Sequence, residues 1–137
     1  MAGYSGTPLL KKLGIQAGQH VLLCNAPAKL PEELSNYADG RMRKDLDVVL
    51  LFAKSLAAFP AELTAQLRAI KADGAIWVAW PKKASGIATD LTENTIREQA
   101  LKMPLVDVKV CAIDDTWSGL KLVIRKELRP AHAAASN

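Results

Sequence analysis

Three stretches of the chain are apolar at nearly every position: His20-Val21-Leu22-Leu23-Cys24-Asn25-Ala26-Pro27, Leu46-Asp47-Val48-Val49-Leu50-Leu51-Phe52-Ala53 and Ala75-Ile76-Trp77-Val78-Ala79-Trp80. A strand with one wet face alternates apolar and polar residues, so runs without alternation predict strands buried on both faces. Two later stretches do alternate. Val106, Val108, Val110 and Ala112 are interleaved with Asp107, Lys109 and Cys111, and Leu120, Leu122 and Ile124 with Lys121, Val123 and Arg125. They predict strands with one buried face. The link between them, Asp114-Asp115-Thr116-Trp117-Ser118-Gly119, is too short for a helical crossover, so the pair is antiparallel.

Helical periodicity fills the gaps. Leu9, Leu10 and Leu13 share a face of a short opening helix, with Thr7 as cap, Pro8 at its first position and Gly14 at its exit. A short helix is expected within 31–37. Leu56, Phe59, Leu63, Leu67 and Ile70 form one stripe of a longer helix, capped by Ser55 and ended by Asp73-Gly74. Pro60 restricts its regular start to about Ala57–Pro60. Thr92 caps a further helix with Ile96, Ala100 and Met103 inward and a Leu91–Ile96 staple.

The long connections make the first three strands parallel, with right-handed crossovers. The expected fold is a small three-layer α/β sandwich. Its five-stranded sheet is mostly parallel and ends in a C-terminal antiparallel hairpin. One domain is expected over residues 1–128, with 129–137 as a disordered tail.

Composition narrows the setting. Half of the 137 residues are hydrophobic and 23% are charged, which argues for a packed core rather than disorder. The run Val48 to Ala53, which no other apolar run exceeds, has strand length, far short of a membrane span. No secretory leader is read at the start, where Lys11 and Lys12 follow closely. Cys24 and Cys111 sit inside apolar runs and in no CxxC pair. Shielded free thiols and a reducing, cytoplasmic setting are therefore expected. The net charge of +4 is spread out, and its clusters (41–44, Lys82-Lys83, Arg125-Lys126) are not interleaved with aromatics, which argues against a nucleic-acid partner.

Parallel strands end on the same side of a sheet, and open α/β sheets bind ligands beyond those ends. Asn25, Lys54 and Lys82 each lie just past one of the three parallel strands. With Lys83, Ser85 and Gly86 of the following loop they form the candidate site, a cationic edge suited to a small anionic ligand. Other constellations are weaker. His20 and His132 have no nucleophile beside them. A Lys82–Ser85 catalytic pair rests on two residue types common in loops. Asp114-Asp115 suits a turn better than a metal site, and Trp117 could either fold onto the core or stand out as a contact.

The strand Gly74-Ala75-Ile76-Trp77-Val78-Ala79-Trp80-Pro81, then a helix, then a hairpin resembles the C-terminal half of a class I methyltransferase fold, over roughly residues 46–126. The segments Met1-Ala2-Gly3-Tyr4-Ser5-Gly6-Thr7-Pro8-Leu9, Trp77-Val78-Ala79-Trp80-Pro81-Lys82-Lys83-Ala84-Ser85-Gly86, Val108-Lys109-Val110-Cys111-Ala112 and Trp117-Ser118-Gly119-Leu120-Lys121 resemble the bacterial family called domain of unknown function 3052. That resemblance implies a truncated methyltransferase-like fold and no assigned activity. Methyltransferases place a glycine-rich turn after their first strand, where this chain has Asn25-Ala26-Pro27. They also hold the cofactor ribose with an acid after a second strand, for which the first connection here is too short. The expectation is therefore a binding module for a small anionic ligand or a protein partner, with no cofactor, no metal and no catalytic residue assigned. The alternative is a divergent group-transfer enzyme dependent on S-adenosylmethionine.

Overall fold

In a computed structural model of the chain, residues 8–38, 40 and 43–135 are described. The apolar runs become strands β1 (Val21–Cys24), β2 (Leu46–Phe52) and β3 (Ile70–Pro81), and the alternating pair becomes β4 (Leu105–Ala112) and β5 (Trp117–Ile124). Helices α1 (Leu9–Leu13), α2 (Glu32–Ser35), α3 (Phe59–Ala69), α4 (Glu93–Leu101) and α5 (Arg129–Ala135) complete the fold.

The sheet order is β1-β2-β3-β5-β4. β1 pairs with β2, and β2 with β3, in parallel, whereas β5 is antiparallel to both β3 and β4. The sheet is therefore mixed, which corrects the expectation of a mostly parallel one. The cause is β5, which inserts beside β3 and sends β4 to the edge.

Successive β2 side chains enter opposite cores. Val49 and Leu51 pack with Phe59 and Leu63 of α3 and Ile96 and Ala100 of α4. Val48, Leu50 and Phe52 pack with Leu9 and Leu13 of α1 and Leu34 of α2. This two-sided burial is the reason the run carries no polar position after Asp47. Thr92 and Thr95 form a reciprocal capping box on α4, as Thr92 promised, while Thr7 lies outside the described residues.

Three local readings are corrected. Ile70 begins β3 instead of closing the α3 stripe. It pairs with Leu46, and the five steps from Ile70 to Ala75 in β3 then span the two from Leu46 to Val48 in β2. In β4 the expected inward face is open, with Val108 53% and Val110 47% exposed. A register shift between Asp107 and Lys109 breaks the alternation on this edge strand. The tail, expected to be disordered, is helical over 129–135. Its His132 Nε2 lies 2.8 Å from the Ile70 carbonyl, and Arg129 Nε donates to the Ile124 carbonyl at 2.9 Å. Pro130 is compatible with a helix's first turn, and the alanines after it are strong helix formers.

The irregular start of β3 brings Lys71 to Asp47, at 3.1 Å, while the other Asp47 oxygen accepts the His20 amide at 2.8 Å. Burial is the largest single influence on this carboxyl and raises its pKa. The His20 and Lys71 bonds together outweigh it and hold the pKa below the ordinary carboxylate range. A depressed folded-state pKa contributes stability that is present above the unfolded value and is lost as pH falls through the folded one. Asp47→Asn should therefore lose stability near neutral pH and show a smaller further loss on acidification than the parent. Urea midpoints at pH 7 and pH 3 measure both, and equal acid sensitivity in the two proteins would refute the assignment.

Candidate functional site

β1, β2 and β3 end on one side of the sheet, and two adjoining cavities open there. The smaller, about 370 Å³, is lined by Asn25, Ala26, Pro27, Phe52, Ala53, Lys54, Ser55, Glu62 and Trp117. The larger, about 580 Å³, carries Lys12, Lys29 and Lys82 together with Glu32, Glu33, Asp114 and Asp115. Leu9, Leu30, Ile87, Ile113 and Trp117 give it apolar walls.

Asn25 and Lys54 therefore share one cavity and Lys82 lines its neighbour, beside the edge predicted for all three. Asn25 has φ 56°, a left-handed conformation that Asn adopts more readily than any bulky residue. Its Nδ2 donates to Glu62 Oε2 at 3.0 Å, which ties the end of β1 to α3. The Lys54 carbonyl accepts from Thr89 Oγ1 at 2.6 Å, and the Lys82 amide donates to the Thr116 carbonyl at 2.8 Å. Both lysine backbones are thereby fixed, leaving their side chains at the cavities.

Lys83, Ser85 and Gly86 line neither cavity. Residues 83–85 form a single 3₁₀ turn, closed by Gly86 at φ 77°. Ser85 Oγ donates to the Lys82 carbonyl at 2.7 Å and accepts from the Ile87 amide at 3.2 Å, so this hydroxyl shapes the loop. The Asp114 carboxylate likewise accepts the Thr116 and Trp117 amides, each at 2.8 Å, as a turn residue does.

Sequence reasoning left out Lys12, Lys29, Glu32, Glu33 and Glu62. They come from α1, from α3 and from the β1–β2 connection, and only the tertiary fold brings them to the strand ends. Trp117 does fold onto the core, where its ring meets Phe52 edge-on at 5.1 Å between centroids, yet it also lines both cavities.

The cysteines are free and half-buried, less shielded than expected, because Cys24 ends an outer strand and Cys111 lies on the edge strand. Burial raises the pKa of both thiols. For Cys24, Arg43 counteracts this and Glu62 adds to it, and for Cys111, Lys12 and Lys109 counteract it. Among the described residues no helix is long and apolar enough to cross a membrane.

No protein-family model matches the chain, and no curated protein matches its sequence. Solved structures do match. LaPhzM superimposes with a TM-score of 0.51 at 12% identity, over 77% of this chain and 42% of its own. Over that stretch the two chains share a fold. Magnesium protoporphyrin IX methyltransferase from Synechocystis PCC 6803, solved with bound SAM, gives 0.48 at 12% identity over 60% of this chain and 40% of its own. LepI in complex with SAM gives 0.46 at 14% identity over 85% and 39%. This chain thus spans about 40% of the length of these structures. At 12% identity the likeness to LaPhzM shows the fold alone.

Proposed function

We propose that the chain binds, at the carboxyl edge of its sheet, a small ligand carrying both signs of charge, and that it is a divergent group-transfer enzyme of the S-adenosylmethionine-dependent class. The observation that carries this reading is the lining of the larger cavity, where three lysines and four carboxylates share apolar walls. A simple anion would be repelled by the carboxylates while the lysines attract it. A molecule with an ammonium, a carboxylate and a heterocyclic body meets a partner for each part. The volume suits such a ligand, since small-molecule sites run to roughly 300–1,000 Å³.

The residues present fit S-adenosylmethionine in size and charge. Asn25, at φ 56°, supplies the left-handed turn after β1, one of the roles a glycine would otherwise fill. Lys12, Lys29 and Lys82 would hold the carboxylate, and Glu32, Glu33 and Asp115 the ammonium and sugar hydroxyls. When bound, the sulfonium offers a methyl group for transfer. The resemblance to domain of unknown function 3052 supports a bacterial, cytoplasmic setting for this activity.

A second reading, a binding module for a small anion, is favoured by the lysines themselves. Among the described residues the ion pairs within 4.0 Å are Lys71–Asp47, Arg97–Glu93 and Arg97–Asp107, and none of Lys12, Lys29 or Lys82 takes part. Calorimetry and thermal shift with S-adenosylmethionine, ADP and inorganic phosphate separate the readings. A ligand at a hundredfold excess over Kd stabilises by about 2.7 kcal/mol. Binding of S-adenosylmethionine, weakened in both Lys82→Ala and Glu33→Gln, is the expected result. Stabilisation by phosphate and ADP alone would establish the anion module, and no response to any of the three would refute both.

A further inference from the structure

The two cavities meet at one large side chain, Trp117, which lines both with Pro27 beside it. The residue is held from several sides. Its ring packs edge-on with Phe52, its amide donates to Asp114, and its carbonyl accepts from the Ile113 amide at 2.9 Å. Only 6% of it is exposed.

A buried indole N–H ordinarily finds an acceptor. Trp77 obeys this rule, its Nε1 donating to the Leu13 carbonyl at 2.9 Å. The Trp117 Nε1 has no acceptor among the described residues. It is not sealed either, because no buried side-chain nitrogen or oxygen among those residues lacks a partner. A donor that is neither paired nor sealed reaches solvent, and Trp117 lines both cavities.

We propose that Trp117 is a specificity-determining residue of this site. Its indole N–H donates to an acceptor atom on a ligand that extends from the larger cavity to the junction with the smaller, such as a ring nitrogen or sugar oxygen of a nucleoside. This rests on the ligand reading above and narrows it. A nucleoside-bearing molecule carries such acceptors apart from its charged groups.

The indole N–H signals of the ¹⁵N-labelled full chain test this directly, with Trp117→Phe assigning the Trp117 signal and also removing its donor. Without ligand, the Trp117 indole proton should exchange with solvent much faster than that of Trp77. Titration with S-adenosylmethionine should shift the Trp117 signal, and Trp117→Phe should weaken binding by about fivefold, as loss of one hydrogen bond does. If calorimetry shows S-adenosylmethionine binding while the Trp117 signal stays still and Trp117→Phe binds equally well, this inference is overturned and the ligand reading stands. If S-adenosylmethionine does not bind at all, the choice of ligand fails, and the exchange rates decide here. Fast exchange at Trp117 then keeps the open donor, and protection equal to that of Trp77 removes it.

Discussion

Trp77→Ala should lower the unfolding free energy by about 3–5 kcal/mol, the range for truncating a large aromatic in a tight core. Trp77 is fully buried at the centre of β3, between β2 and β5. Its Nε1 bonds the Leu13 carbonyl, one of the last carbonyls of α1, which has no partner within its own helix. The substitution therefore leaves a cavity and also unties α1 from the sheet. Trp77→Phe separates the two effects. It keeps most of the ring and leaves the carbonyl unpaired, for a cost of about 1–3 kcal/mol. Denaturant midpoints with unchanged slopes measure both. A loss below about 1 kcal/mol for Trp77→Ala would mean that α1 and the sheet are not joined in this way. Lys12 and Leu9, on the same helix, line the larger cavity, so Trp77→Ala should weaken ligand binding as well.

Most of the sheet was legible because burial on two faces removes polar residues from a strand, and β1, β2 and β3 show that absence. The edge was misread for a related reason. β4 has the alternation of a half-buried strand, but alternation reports composition and not neighbours. With β5 on one side only and a register shift at Val108, the valines stay in solvent. Ile70 was misread because a helix can pass into a strand without a loop. It continues the spacing of Phe59, Leu63 and Leu67, and nothing local distinguishes an apolar residue ending a helix from one starting a strand.

The site was legible in part. Parallel strand ends must converge, so Asn25, Lys54 and Lys82 could be placed before any tertiary information. Lys83, Ser85 and Gly86 were drawn in because their loop follows the third parallel strand, but they line neither cavity, and the Ser85 bonds hold the loop's own shape. The carboxylates that give the larger cavity its mixed charge come from helix and turn positions with no periodic signal. The conformation of Asn25 was also hidden. A missing glycine reads as a missing turn, yet Asn reaches the left-handed region at modest cost.

Gly74→Ala is expected to destabilise the chain by about 1–3 kcal/mol, the scale of forced overpacking. In a position that simply tolerates alanine, the change would stabilise by narrowing the unfolded ensemble. Gly74 lies where β3 takes up its extra residues opposite β2. A Cβ there would sit 2.9 Å from the Leu46 carbonyl oxygen and 3.1 Å from both the Lys71 carbonyl oxygen and the Ile70 Cβ. Two of these three neighbours are backbone, so relief requires moving one strand against the other. Gly86 provides the contrast: it has open space around it and a positive φ of 77°. The cost of Gly86→Ala is therefore conformational, and Gly86→Asn should recover much of it. At Gly74 the cost is steric, so Gly74→Asn should be no better than Gly74→Ala. Equal or greater stability of Gly74→Ala would show that the two strands are free to shift. The consequence extends to the site. The irregular stretch from Ile70 to Ala75 sets the register in which Trp77 faces Leu50 and Lys82 leaves the strand beside the larger cavity. A variant that shifts it should lose ligand affinity together with stability, though Gly74 touches neither cavity.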